Sequence, residues 1–307
     1  MYDNIKLWCF SNDARNVIQC LDDVRETLNK ETGEAKESGF CNGLSVSVSG
    51  GRVSIVGSLA KFHNNSNVYS LDRASTKEAL SNLSDRLHLQ IDDAKVVSLE
   101  FGTAFLMKEK VSDYLAMFEN KGRFEKNSFK PHSIYYQGIS KQPEKAFVFY
   151  DKIKDAKSKG MDYPQEFENA NFLRYEMRYK RRLKQQLGQN VQASTLYDRV
   201  FYKYLVAMYQ KEYFSISKKR QLTRNAISGI NSVSDAFDVL FSRLYKANEK
   251  DAQNYLEELK QSRVLDRAKT YRLRKRINDA LTKEGATEQS DLIKELDNDI
   301  KNVGAYV

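Results

Sequence analysis

Six side chains of this sequence have the types and spacing to do chemistry together: Glu100, Tyr150, Lys152, Arg174, Glu176 and Arg178. They fall in the stretches VVSLEFGTAF (96–105), AFVFYDK (146–152) and NFLRYEMRYKRR (171–182). Each stretch alternates in the manner of a strand, whose side chains point to opposite faces in turn. Val97, Leu99 and Phe101 then share one face, and Ser98 and Glu100 the other. Phe147 and Phe149 oppose Val148 and Tyr150. Leu173, Tyr175, Met177 and Tyr179 oppose Arg174, Glu176, Arg178 and Lys180. If the three strands join one sheet with its apolar face buried, Glu100, Tyr150, Arg174, Glu176 and Arg178 emerge together on an open face.

That set suits phosphoryl chemistry. Two neighbouring carboxylates repel unless a cation sits between them, and hard oxygen ligands suit Mg²⁺ or Mn²⁺. Such an ion can polarise a phosphodiester and neutralise developing charge. A tyrosine of ordinary acidity is a poor nucleophile unless its site activates or orients it. Lys152, two residues on, returns to the same face, where it can lower the phenol's pKa or hold a phosphate. A plain structural reading stands beside this one. A strand can end on a tyrosine for packing alone, and Glu176 between arginines can be a surface ion-pair ladder of small energetic value. The residues by themselves leave both open; the shared parity of three strands sustains the chemical one.

The elements that must position these residues are legible in outline. IKLWCF (5–10) reads as a strand and SNDARNVIQCLDDVRETLNK (11–30) as a helix, with Val17, Leu21, Val24 and Leu28 at helical spacing. Alternating runs around Gly50-Gly51 predict a tight hairpin over 43–58. RASTKEALSNLSDRLHL (73–89) predicts a helix opened by a capping box from Ser75 to Glu78. Residues 94–105 predict a strand, 111–119 a short helix, 133–139 with 146–152 a hairpin, and 171–182 a long strand. From about residue 193 alternation gives way to helical spacing, including a Leu273, Ile277, Leu281 stripe on a basic helix. The expected fold class is α+β. A central, mostly antiparallel sheet with helices packed on one face spans 1–192, and an α-helical, basic, DNA-binding or accessory region spans 193–307.

Composition narrows the partners. The 307 residues carry a formal net charge of +9. Cations cluster in RYEMRYKRRLK (174–184), KKR (218–220) and RVLDRAKTYRLRKR (263–276). The first cluster, with Lys180, Arg181 and Arg182, interleaves tyrosines and suits phosphates and stacked bases together. On the last, Arg272, Arg274, Lys275 and Arg276 form a basic helix surface able to lie along duplex DNA. No apolar run approaches the roughly 20 residues of a spanning helix. Asp3 and Lys6 interrupt the apolar N-terminal stretch, which makes it a better first strand than a signal peptide. Three cysteines without a C-x-x-C pair read as reduced thiols of a cytoplasmic protein. No glycine-rich phosphate loop is present, which argues against an ATPase in this chain.

Four blocks in order resemble the phage and plasmid rolling-circle replication initiators of the filamentous-phage gene II family: VSIVGSLAKFHNNSN (53–67), VVSLEFGTAF (96–105), AFVFYDKIK (146–154) and LRYEMRYKRRLKQQLG (173–188). The resemblance covers about residues 43–215. It implies an origin-specific DNA nicking and closing enzyme that uses Mg²⁺ or Mn²⁺. In such an enzyme a tyrosine joins covalently to the 5′-phosphate, leaves a 3′-hydroxyl as primer, and later religates the displaced strand. Carried over residue by residue, it implies Tyr150 as nucleophile and Lys152 as its basic neighbour. Glu100, Glu176 and His63 become metal ligands, and Lys61, Arg174 and Arg178 DNA-backbone contacts. The family's usual arginine before the first acid is missing at Ser98-Leu99. The paired histidines of the wider superfamily are absent too; His63, His88 and His132 stand apart. Tyr135 and Tyr136 are open as second nucleophiles, while Tyr175 is expected on the buried face. The competing reading is a replication repressor or copy-control protein that binds DNA without cutting it. A tyrosine recombinase is disfavoured, since no histidine follows His132.

Overall fold

A computed structural model of the chain describes residues 1–28, 31, 33–130, 132–161, 163–222, 230–262, 264–283 and 287–304. Asn29 and Lys30, at the end of the expected first helix, and Arg263, in the last basic cluster, lie outside the described residues. The chain divides into two compact units, Met1–Ser217 with Glu295–Val307, and Lys218–Lys294.

The first unit is built on one antiparallel sheet. Its strands are β1 (Tyr2–Phe10), β2 (Asp22–Leu28), β3 (Ala35–Cys41), β4 (Leu44–Ser49), β5 (Arg52–Ser58), β6 (Lys95–Leu106), β7 (Glu125–Lys130), β8 (Ser133–Gln137), β9 (Lys145–Asp151) and β10 (Phe172–Tyr179). They lie in the order β2-β3-β4-β5-β1-β6-β10-β9-β8-β7. Its helices are α1 (Ala14–Gln19), α2 (Leu59–Asn64), α3 (Arg73–Leu87), α4 (Val111–Ala116), α5 (Lys152–Ser158), α6 (Leu183–Leu187) and α7 (Arg199–Phe214). The α+β class expected from the sequence is borne out. The β4–β5 hairpin turns at Gly50 and Gly51, whose φ angles of 55° and 76° need residues free of a Cβ. β8 and β9 pair as the second expected hairpin.

Two local expectations fail for physical reasons. Over residues 11–28 the chain forms only the short α1 and then β2. Every side chain of β2 is exposed, so its helical spacing had no surface to pack on, and backbone pairing with β3 won. The helix at 73 is capped three residues earlier than expected. Asp72 accepts from Ser75 N, and Ser75 Oγ bonds the Asp72 backbone in return.

The change of character near residue 193 falls inside the first unit. Helix α7 presents Tyr202, Leu205, Tyr209 and Tyr213 along one side. Tyr209 lies 4.3 Å from Tyr175, which stacks on Phe149 at 4.3 Å with ring planes 5° apart. Phe101 meets both Tyr202 and Tyr209 edge-on. This aromatic layer buries the odd-numbered face of β10 and fixes the opposite parity, that of Arg174, Glu176 and Arg178.

The second unit holds a two-stranded ribbon of β11 (Arg220–Leu222) and β12 (Thr287–Gln289) with helices α8 (Val233–Ala247), α9 (Glu249–Gln261) and α10 (Arg267–Thr282). Helix α11 (Asp291–Asn302) begins in it. Leu273 and Ile277 are half-buried on α10, while Arg272, Arg274, Lys275 and Arg276 are exposed. No helix among the described residues is long and apolar enough to cross a membrane.

Candidate functional site

The register of β10 assembles the site. Arg174 lies opposite Tyr150 on β9 and Ala104 on β6. Glu176 lies opposite Val148 and Gly102, and Arg178 opposite Ala146 and Glu100. Directly paired residues share a face, so Glu100, Tyr150, Arg174, Glu176 and Arg178 are brought together. Gly102 makes this possible. A Cβ there would fall 2.2 Å from Tyr175 O and 2.7 Å from Glu176 Cα, where no side chain fits.

Glu176 is the hub. Its Oε1 accepts from the Tyr150 hydroxyl at 2.8 Å and from Arg174 Nε at 2.5 Å. Its Oε2 accepts from Arg178 Nε at 2.9 Å and Nη2 at 2.7 Å. Arg178 also lies 3.3 Å from Glu100. Arg174 turns its remaining donors to Asp3 Oδ2 at 2.8 Å and to the carbonyls of Asn67 and Val68. Asp3 accepts further bonds from Ser58 Oγ and Asn67 Nδ2.

In the sequence Asp3 reads only as an interruption of an apolar stretch. Its position is the signal that was available: an acid near the start of a strand whose neighbours Tyr2, Ile5 and Leu7 are wholly buried. In the fold β1 lies beside β6, and Asp3, Glu100 and Glu176 form an acidic group. Each contributes a carboxylate oxygen within 4.8 Å of the others.

The expected open face is instead closed at one end. Arg174 is 0% exposed and Glu176 1%. The reason is hydrogen bonding: a guanidinium with five donors draws the 67–68 carbonyls over itself. Arg174, expected on the DNA backbone, therefore serves Asp3 and Glu176. Opening is confined to the other end, where Glu100 and Arg178 are half-buried. There Tyr150 and Arg178 line a cavity of about 280 Å³ with His132, Ser133, Tyr135 and residues of α5.

Charge distribution follows from burial. Burial pushes the Glu176 carboxyl up, but Arg174 and Arg178 more than offset this and hold it at about 2. Burial and the Glu176 charge push Glu100 up to about 7. Burial, reinforced by Glu176, raises the Tyr150 phenol well above its ordinary value. Burial and the Arg174 charge bring Lys152 down to about 8, with its Nζ donating to Asn67 Oδ1 at 2.9 Å.

Other expected residues lie apart. His63 on α2 sits 3.8 Å from Glu78, beside Asn42, Asn82 and Asp85, and does not join the acidic group. Lys61 Nζ reaches Met161 Sδ at 2.9 Å. Lys180, Arg181 and Arg182 follow β10 and are exposed; Arg181 bonds Gln142, and Arg182 pairs with Glu144 at 2.9 Å. Arg274 pairs with Glu257 at 2.8 Å. Tyr136 is buried, its hydroxyl on Glu119 O at 2.7 Å, whereas Tyr135 is half-buried beside Tyr150.

The donor set fits a hard divalent cation. Three carboxylates with oxygens within 4.8 Å of one another face two guanidiniums, and burial with the Glu176 charge raises the Glu100 carboxyl, an arrangement compatible with a cation among them.

A large antiparallel sheet carrying a tyrosine, three carboxylates and two arginines on one face defines the class of this site. The family model for the N-terminal domain of the phage replication-associated gene II protein matches residues 1–198, and the chain belongs to that family. The resemblance to the gene II family is thereby borne out. Among solved structures, a rolling circle replication initiator protein from Geobacillus stearothermophilus is similar at 12% identity and a TM-score of 0.39, over 75% of this chain and 89% of that one. No curated protein matches the chain.

Proposed function

We propose that the chain is a rolling-circle replication initiator that nicks and rejoins one strand of origin DNA through Tyr150. The observation that carries this reading is the Tyr150 hydroxyl bonded at 2.8 Å to Glu176, inside a group of three carboxylates, in a member of the gene II replication-protein family. Tyr150 Oη attacks the scissile phosphorus as its proton passes, by way of Glu176 Oε1, to solvent water. The bond from phosphorus to the 3′-oxygen breaks, and that oxygen takes a proton from water and leaves as a 3′-hydroxyl. The 5′-phosphate stays on the tyrosine, and reversal by another 3′-hydroxyl reseals the strand. Arg178, half-buried at the open end, holds phosphate charge as it develops. Arg174 acts one step back, fixing Asp3 and Glu176. Asp3, Glu100 and Glu176, rather than His63, would hold Mg²⁺ or Mn²⁺, which would supply Lewis-acid polarisation of the phosphate. Lys180, Arg181, Arg182 and the exposed cations of α10 supply non-specific DNA affinity. Host helicase and replication proteins would open and copy the duplex.

The test is a denaturing gel of protein mixed with labelled single-stranded and supercoiled DNA of its replicon and either metal. A metal-dependent covalent band in wild type that is lost in Tyr150→Phe supports the reading. One observation favours the alternative, a DNA-binding repressor or copy-control protein. Both oxygens of Glu176 are already engaged by arginines, as a purely structural network requires. Tight binding without a band under either metal would decide for it.

A further inference from the structure

The cavity beside Tyr150 has a feature the nicking chemistry does not use. Ser133 lies directly across from Tyr150 on the neighbouring strand. It is 6% exposed, it lines the cavity, and its Oγ has no hydrogen-bond partner among the described residues. A buried hydroxyl left unpaired costs free energy, so its place at a cavity wall calls for a ligand that completes it. Tyr135, on the same strand, packs its half-buried ring against Ala146, Val148 and Tyr150 and adds an aromatic wall. The Arg178 guanidinium lies 5.9 Å from that ring.

The charges on the rim select the kind of ligand. Lys154 is paired with Asp151 at 3.2 Å and Lys159 with Asp155 at 2.6 Å. Arg178, towards Glu100 and Glu176 at the inner end, is the cation left to meet the scissile phosphate. Such a balanced rim is a poor trap for a free anion. A flat aromatic group with polar edges suits it better: it stacks on Tyr135 and hydrogen-bonds Ser133. The volume of about 280 Å³ lies just below the roughly 300 Å³ at which sites for drug-sized ligands begin, which suits one flat ring system.

We propose that this cavity is a nucleobase subsite: it takes one unstacked base of the single strand next to the scissile phosphate, with Tyr135 as its platform and Ser133 as its polar contact. The identity of that strand rests on the nicking reading above. Holding one flanking base would fix the register of the phosphate against Tyr150, so Ser133 and Tyr135 act as positioning residues.

The experiment uses the full chain carrying Tyr150→Phe, so that no covalent step is needed. It is photocrosslinked to oligodeoxythymidylate bearing one 5-iododeoxyuridine, and the joined peptide is mapped by mass spectrometry. The expected product lies within residues 132–159. Tyr135→Leu is expected to weaken oligonucleotide binding roughly 10-fold, in the span of one lost base–aromatic stack. Ser133→Ala should weaken it a few-fold and the cavity-filling Ser133→Val more, while thymidine competes and inorganic phosphate does not. Crosslinks confined to other surfaces, or unchanged affinity in Ser133→Val and Tyr135→Leu, would overturn the subsite. Absence of a covalent band in wild type, with the crosslink still in the cavity, would overturn the nicking reading alone.

Discussion

The Tyr150 hydroxyl donates to Glu176 Oε1 at 2.8 Å while Arg174 Nε reaches the same oxygen at 2.5 Å. The tyrosine is thus oriented by one carboxylate whose own charge is held by arginines, and burial, reinforced by that charge, keeps the phenol protonated. Tyr150→Phe removes the nucleophilic oxygen and leaves Glu176 with both arginines. Covalent attachment to DNA should vanish, affinity for the same oligonucleotide should stay within about twofold, and stability should fall by about 1 kcal/mol, the worth of one hydrogen bond. A denaturing gel, fluorescence anisotropy and urea unfolding read the three quantities. A band that survives would move the nucleophile elsewhere, with Tyr135 the first residue to examine.

Glu176→Gln tests the buried ion network. Arg174 has no exposed surface and depends on Asp3 and Glu176 for compensation. Removing one partner of a buried pair typically costs about 3–5 kcal/mol, because the remaining charge stays buried. Urea unfolding should show a loss of that size, and Arg174→Met combined with Glu176→Gln should recover part of it. A loss below about 1 kcal/mol in the single variant would mean that Arg174 finds water or another acceptor.

The polar face was legible because parity is a local property. The alternation of β6, β9 and β10 set which side chains of each strand oppose its apolar face, and the β6-β10-β9 pairing then brought Glu100, Tyr150 and Glu176 to one side; the hairpins at Gly50-Gly51 and 133–152 set neighbouring strands. Asp3 was not legible as a partner. Its role depends on β1 inserting between β5 and β6, a long-range pairing that no local pattern encodes. Closure of the face by the 67–68 carbonyls is also non-local. Strand β2 was not legible either, because its exposed residues carry helical spacing by chance, and tertiary pairing overrides weak propensity.

Metal binding should register as stability. With a cation at about 100 times its Kd, the folded state gains about 2.7 kcal/mol. Mn²⁺ or Mg²⁺ should raise the thermal midpoint of wild type. Glu100→Gln should abolish the rise with little harm to the apo fold, since Glu100 is half-buried and its own charge is costly. His63→Ala should leave the rise intact. A shift lost in His63→Ala and kept in Glu100→Gln would replace the acidic group with a different site.

Lys152 gives the pH dependence. Burial, then the Arg174 charge, lowers its folded-state pKa to about 8 from the ordinary 10.5. Between these values the unfolded chain binds the proton and the folded chain does not, so stability rises with pH across that window. Below about 8 both states are charged, and burying the ammonium costs roughly 3 kcal/mol at 1.36 kcal/mol per unit of pKa. Lys152→Met removes the titration. The difference in unfolding free energy between wild type and variant should shift in favour of wild type from pH 8 to 10. A flat difference would mean that the lysine keeps its ordinary acidity through contact with water.

Gly102→Ala probes the spacing between β6 and β10. The new methyl carbon would lie 2.2 Å from Tyr175 O and 2.7 Å from Glu176 Cα, both backbone atoms held by ladder pairing, with Glu176 Cγ at 3.0 Å. Neither can yield without separating the strands. Overpacking of this kind costs about 1–3 kcal/mol or more. The displaced residue is Glu176, the hub of the site, so covalent-adduct yield should fall further than the unfolded fraction accounts for. Urea unfolding and the adduct gel, measured on the same preparation at a temperature where the variant is fully folded, separate the two effects. Normal adduct yield in a folded variant would show that the site tolerates a shift of Glu176, and that Tyr150 does not depend on its place.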